Sequence, residues 1–225
     1  MSTRMNYMIR TVPQPPALEA EWGAGAWGAA PEGRITNFHA RGSDHRPDTR
    51  FRVLRDATHL HVQFAVEDRY VRSVQTEYQG PVCTDSCVEF FVQPRADRGY
   101  FNFEINAGGT LLLFYIEDSR RTPEGFAKFG PVAAEWGRQV AIWHSLPAVV
   151  EPELPGPLSW RVAYRIPVAL LEAYTGPLGP LAGQTWRANF YKCGDQTSHP
   201  HWGSWAPITA LDFHLPDCFG DLVLA

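Results

Sequence analysis

The chain of 225 residues is 44% hydrophobic and 20% charged, a soluble globular balance that needs no disulfide or metal staple to fold. Its formal net charge of -4 and the lack of any Lys/Arg block exclude a nucleic-acid or anionic-membrane partner, because phosphate neutralisation requires clustered basic side chains. Four cysteines with no CxxC spacing are too sparse for a disulfide scaffold.

Residues 1–16, MSTRMNYMIRTVPQPP, read as a loose, proline-rich lead-in with no apolar run of signal-peptide length. That start implies a cytoplasmic protein if it is native and a secreted one otherwise. After Arg50 the dominant hydrophobic period is two. In LHVQFAV, Leu60, Val62, Phe64 and Val66 share one face while His61 and Gln63 take the other. The runs DSCVEFFVQP and YFNFEIN repeat the alternation, and TLLLFYIED reads as a strand buried on both faces. A short helix is expected in PVALLEAYTGP, with Pro167 at its first turn and Gly176 at its end. WRVAYRIP and TWRANFYK alternate again, and FGDLVLA closes the chain. Gly80-Pro81, Gly108-Gly109 and the segment 151–159 supply turns. About nine short strands and one helix predict an all-β fold, a two-sheet antiparallel β-sandwich of jelly-roll type, as a single domain over residues 1–225.

What stands opposite the apolar residues carries the functional signal. In YFNFEIN, Phe101, Phe103 and Ile105 form one face; Tyr100, Asn102, Glu104 and Asn106 form the other. In TWRANFY, Arg187, Asn189 and Tyr191 oppose Trp186, Ala188 and Phe190, and in DSCVEFFV, Asp85, Cys87 and Glu89 oppose Val88, Phe90 and Val92. A solvated sheet face would serve for such residues. Asn, however, is depleted in strands, and amides and guanidinium groups match hydroxyl-rich ligands because of their donor and acceptor geometry.

The ordered blocks DSCVEFFVQP, YFNFEINAGG, WRVAYRIPVALL, WRANFYKCGD and FHLPDCFGDLVL resemble the family 9 carbohydrate-binding modules, from about Asp56 to Ala225. The resemblance implies a two-sheet sandwich that binds sugar without cleaving it. In members attached to xylan-degrading enzymes, two aromatic rings grip a chain end and acidic, amide and basic side chains bond its hydroxyls. Carried onto matching positions, the acidic role falls to Glu89 and the amide role to Asn189, with Asn102 and Glu104 fitting on the next strand and Arg187 beside them. The rings are less fixed: YQGPVCTD has Tyr78 where those modules carry a tryptophan, and Tyr191 and Trp202 compete for the second ring. Structural calcium, common in these modules, would have to use Glu67 and Asp68 in VEDRY or Glu117 and Asp118 in IEDS, yet calcium takes six to eight oxygens.

The stretch CGDQTSHPHWGSWAP, residues 193–207, allows several readings. Cys193, His199 and His201 could ligate a metal, with Asp195 or Cys218 completing the set. A histidine near Asp195 could act as a general base. Trp202 and Trp205 could seal the sandwich, or Trp202 could form a ligand wall while Trp205 packs in the core. The primary expectation is a saccharide or sugar-derivative ligand bound by Glu89, Asn102, Glu104, Arg187, Asn189, Tyr191, Trp202 and Tyr78. A sugar-active hydrolase using Glu89 and Glu104 and a protein-interaction domain are the alternatives.

Overall fold

The computed structural model describes residues 4–225. In chain order the strands are β1 (Asn6–Thr11), β2 (Gly33–Ile35), β3 (Asn37–Phe38), β4 (Asp48–Arg55), β5 (His59–Asp68), β6 (Val71–Ser73), β7 (Cys87–Gln93), β8 (Tyr100–Asn106), β9 (Leu111–Thr122), β10 (Gly125–Pro131), β11 (Ala141–His144), β12 (Val150–Leu154), β13 (Leu158–Pro167), β14 (Thr185–Cys193), β15 (Trp202–Ser204) and β16 (Gly220–Leu224). The helices are α1 (Ala134–Gly137), a single turn, and α2 (Val168–Thr175). The second is the helix expected from PVALLEAYTGP. Pro167 occupies its N-cap, and Gly176, at φ 79°, ends it in a conformation that side-chain-bearing residues rarely adopt.

Two open sheets face each other. One runs β10-β9-β8-β7-β14-β16-β1, and the other runs β1-β4-β5-β13-β11, with β2 on β4 and β15 bridging β14 to β3. A small pair, β6 with β12, stands apart. The alternation read from the sequence sets the facing sides. Val88, Phe90 and Val92 of β7, Phe101, Phe103 and Ile105 of β8, and Trp186, Ala188 and Phe190 of β14 meet Phe51, Val53, Val62, Phe64 and Tyr164 from the opposite sheet. Stacking of Phe190 on Phe51, 3.6 Å between centroids, and on Phe90, 4.8 Å, marks the centre of this core. Trp205 lies in the same cluster, at 3% exposure, as expected.

The lead-in is where the sequence reading needs correcting. Residues 6–11 are a strand shared by both sheets: Asn6–Ile9 pair parallel with Asp221–Leu224, and Arg10 and Thr11 pair with Leu54 and Arg55. Tyr7 and Ile9 point into the core while Met8 is exposed, an alternation like that of the later strands. The part of the expectation falling on residues 1–3 lies outside the described residues. A second correction concerns β9: Leu111, Leu113 and Tyr115 are buried, but Leu112 and Phe114 are only half-buried.

The outer faces are not bare. Val12, Leu18, Trp27 and Ala30 cover the back of the β4/β5/β13 sheet, and Gln63 there donates to the Ala20 carbonyl at 3.0 Å. Residues 206–219 cover part of the β8/β7/β14 sheet. Phe213, Ile208 and Phe219 pack on Phe91, Tyr100 and Tyr191. The face predicted to be an open polar saucer is therefore partly roofed, and one cavity remains beside the roof.

Candidate functional site

The cavity is built from four neighbouring strands. Register aligns Glu104 of β8 with Glu89 of β7, Glu89 with Tyr191 of β14, and Cys193 of β14 with Trp202 of β15. Directly opposed residues point to the same side of a sheet, so Glu104, Glu89, Cys193 and Trp202 form a row about 14 Å across at ~4.8 Å per strand. These four line an opening of about 380 Å³ together with Cys83, Arg121, Asp195, Leu211, Asp212, Phe213 and His214. That volume falls within the roughly 300 to 1,000 Å³ typical of small-molecule sites.

Its floor carries two buried carboxyl groups. Glu89 is 2% and Glu104 6% exposed. Burial and the neighbouring Glu104 push the Glu89 carboxyl well above the usual range. Burial raises Glu104 to about 7, although Asn102 favours its charged form by donating at 2.7 Å. Cys193 donates to Glu89 Oε1 at 3.1 Å, while Glu89 Oε2 is buried with no hydrogen-bond partner. An unpaired buried acceptor costs about 1 to 3 kcal/mol until a donor reaches it.

The walls carry rings and a charged rim. Trp202, half-buried, donates from Nε1 to Asp195 Oδ1 at 2.7 Å; burial still raises the Asp195 carboxyl. Phe213 stacks on Tyr191 at 4.0 Å and 9°. Arg121 forms a two-pronged pair with Asp212, 2.9 Å to Oδ2 and 2.7 Å to Oδ1. Burial works against the Asp212 carboxylate, but the Arg121 and His214 N–H groups hold it below its ordinary value. His214 is lowered to about 4 by burial and hydrogen-bonds the Tyr100 hydroxyl at 2.9 Å.

Of the side chains singled out from the sequence, the structure brings Glu89, Glu104 and Trp202 into this cavity. Asn102 stands behind them. It orients Glu104 with its amide N–H and accepts from the Phe114 backbone at 2.7 Å. Asn189, Tyr191 and Arg187 hold the roof instead of the opening. Asn189, wholly buried, donates to the Ala206 carbonyl and accepts from the Ala206 and Phe190 N–H groups. The Tyr191 hydroxyl donates to the Phe213 carbonyl at 2.9 Å, and Arg187 reaches the Pro216 and Phe219 carbonyls. Tyr78 is elsewhere: it bonds the Val132 carbonyl at 2.8 Å beside Gly137 and lines a different hollow. Sequence reasoning missed Phe213, Arg121 and Asp212. Phe213 sits in the irregular run LDFHLPD, and Arg121 and Asp212 are brought together only by the roof.

The histidine-based metal reading fails on geometry. His201 Nδ1–H donates to the His199 carbonyl, 2.9 Å, which leaves Nε2 to accept from the Lys192 ammonium at 2.8 Å. His199 stacks on Tyr70 at 3.6 Å. Both nitrogens of His201 are thus committed, His199 is turned to Tyr70 and Ser198, and Cys193 faces Glu89. The calcium loops do not fit either. Asp68 accepts from His45 at 2.7 Å and Trp160 at 2.9 Å, and Glu67 binds Ser159. Asp118 is paired with Arg120 and Glu117 with Lys128, so neither pair converges on a shared oxygen cage.

Comparison with known proteins gives a consistent result. The profile described as carbohydrate-binding family 9 matches residues 31–224. A protein of Bacteroides uniformis described as a candidate carbohydrate-binding protein is 28% identical, with TM-score 0.83 over 99% of this chain and 100% of that one. Two structures of a family 9 carbohydrate-binding module from Caldicellulosiruptor kristjanssonii share the fold. The cellotriose complex has TM-score 0.61 at 14% identity, covering 98% of this chain and 93% of the other. The glucose complex has 0.59 at 15%, covering 97% and 95%. Comparison with curated proteins finds no match. Among the described residues no helix is long and apolar enough to cross a membrane.

Proposed function

Since this chain belongs to carbohydrate-binding family 9, we propose that the cavity between Trp202 and Phe213 binds a saccharide without cleaving it. The observation that carries the reading is the unpartnered Glu89 Oε2 on the floor of a ring-walled opening. A sugar hydroxyl donating to it would supply the hydrogen bond that no protein group gives. The indole and phenyl faces would cover the C–H faces of the pyranose, and the Arg121/Asp212 pair would supply a donor and an acceptor at the rim.

The arrangement of the acids supports binding over hydrolysis. Glycosidases place their two carboxyl groups on either side of the scissile bond. Here Glu89 and Glu104 are directly opposed neighbours in one sheet, on one floor, and so approach any ligand from the same side.

Calorimetric titration with glucose and cellotriose, the ligands of the related module structures, is the test. We expect Trp202→Ala and Phe213→Ala to weaken binding by about tenfold or more while both variants stay folded, a loss of roughly 1.4 kcal/mol or more. Turnover of an aryl glycoside that disappears in Glu89→Gln would replace this reading by the hydrolase one. Failure of a broad panel of mono- and oligosaccharides to bind the native chain would remove it.

A further inference from the structure

Glu89 and Cys193 on the cavity floor, with Cys87 buried beside Cys193, have a chemistry that sugar binding does not require. Cys87 and Cys193 are directly opposed across β7 and β14, and Glu89 follows Cys87 by two residues, on the same face. One ligand atom from each, the two Sγ atoms and a Glu89 carboxylate oxygen, lie within 4.8 Å of one another, and all three residues are buried. We infer that Cys87, Cys193 and Glu89 form a three-ligand site for a thiophilic d10 divalent ion of the zinc type, beside the cavity that Glu89 and Cys193 line.

The donor set selects the ion. Two thiolates and one carboxylate suit zinc, which takes S, N and O donors in tetrahedral sites at about 2.0 to 2.3 Å, and its larger, more thiophilic congener cadmium. Calcium and magnesium need six or more oxygens and are disfavoured by sulfur. The Glu89 carboxyl, more than nine-tenths buried, has a second oxygen that no protein group bonds, and in the metal-bound form this oxygen turns to the ion in place of a sugar hydroxyl. Binding requires no redox change. Each cysteine S–H, and the Glu89 carboxyl that burial holds protonated, gives its proton to solvent as its bond to the metal forms. Cys83 lines the same cavity, and its carbonyl is 3.7 Å from Cys193 Sγ. Cys87 and Cys193 are directly opposed on paired strands, so the ladder fixes the spacing of their backbones.

The site can be tested independently of sugar binding, by titrating the reduced full chain with cadmium(II) and recording the ultraviolet thiolate-to-cadmium charge-transfer band. One equivalent per chain is expected, competed by zinc(II). The band should be lost in Cys87→Ser and in Cys193→Ser and kept in Cys218→Ser, whose thiol lies near Thr209. Absence of a band in the native chain, or a band of full height in both Cys87→Ser and Cys193→Ser, would overturn the assignment. Should either serine variant unfold, Glu89→Gln decides: a fall of about tenfold in cadmium affinity supports the site, and unchanged affinity refutes it. Sugar affinity measured on the same samples separates failure of this site from failure of the saccharide reading.

Discussion

Consecutive residues of β14 enter two buried polar clusters of opposite character. Lys192 points between the sheets. Its ammonium lies 3.5 Å from Asp68, 2.8 Å from His201 and over the Trp160 ring, with no exposure to solvent. Asp68 in turn is bonded by His45 and Trp160, so every charge there has a partner. Cys193, one residue on, points the other way, into a floor where two carboxyl groups oppose each other and one oxygen has no partner. The first cluster is a finished piece of architecture. The second leaves one carboxyl oxygen without a protein partner beside a cavity, the pattern that perturbed groups at binding sites show.

The largest effect that would break this contrast is in the finished cluster. Lys192→Met strips the counter-charge from buried Asp68 and should destabilise the fold by about 3 to 5 kcal/mol in denaturant unfolding. A cost under 1 kcal/mol would show that the interior network is not held together as a unit.

The two clusters should also respond to pH with opposite signs. The attraction of Lys192 and the His45 and Trp160 bonds outweigh burial and hold Asp68 below its ordinary value of 3.8. The native state therefore binds fewer protons there, and the stabilisation from Asp68 is present above about pH 4 and lost as pH falls below it. Glu104 is raised from 4.5 to about 7, so the fold is progressively destabilised as pH rises through that window. Glu104→Gln should therefore raise Tm relative to the native chain at pH 8, by about 5 °C for roughly 2 kcal/mol, and by much less near pH 4.5. A pH-independent difference would show that Glu104 titrates normally.

Smaller effects sharpen the line between roof and cavity. Asn189→Ala removes three hydrogen bonds to residues 190 and 206 and should cost about 1 to 3 kcal/mol of stability. Its sugar affinity should fall less than that of Trp202→Ala, because Asn189 holds the wall from behind. Tyr78→Phe, which loses one bond to Val132, should cost about 1 kcal/mol or less and leave sugar affinity unchanged. Weakened binding in Tyr78→Phe would place the ligand in the other hollow.

Period-two alternation was enough to orient β7, β8 and β14, because each side of a strand reports its surroundings every second residue. It also placed Glu89 and Glu104 on one face. What it could not report was that the polar face is covered. Asn189 and Tyr191 look like ligand contacts from the strand alone, but they answer the backbone of Ala206 and Phe213, in a segment without periodicity, and Asn102 answers Glu104 and the Phe114 backbone of the next strand. The rings Phe91, Tyr100 and Tyr191 on that same face were the legible hint that something packs there. The strand over residues 6–11 was missed for a local reason. Tyr7 and Ile9 alternate properly, but the prolines at 13, 15 and 16 dominate the composition of the window.

The roof over β8, β7 and β14 separates the parts of the pocket by how freely they can change. Glu89, Glu104 and Cys193 are tied to the ladder of the sandwich, so altering their spacing means altering the fold. Phe213, Asp212 and His214 ride on an irregular connection anchored through a few backbone groups, where insertions and substitutions are tolerated far more readily. Lineages carrying this sandwich can thus keep a constant acidic base and exchange the overhanging segment to accept sugars of different length or branching. A graft of residues 206–219 between two such proteins would transfer preference without rebuilding either scaffold.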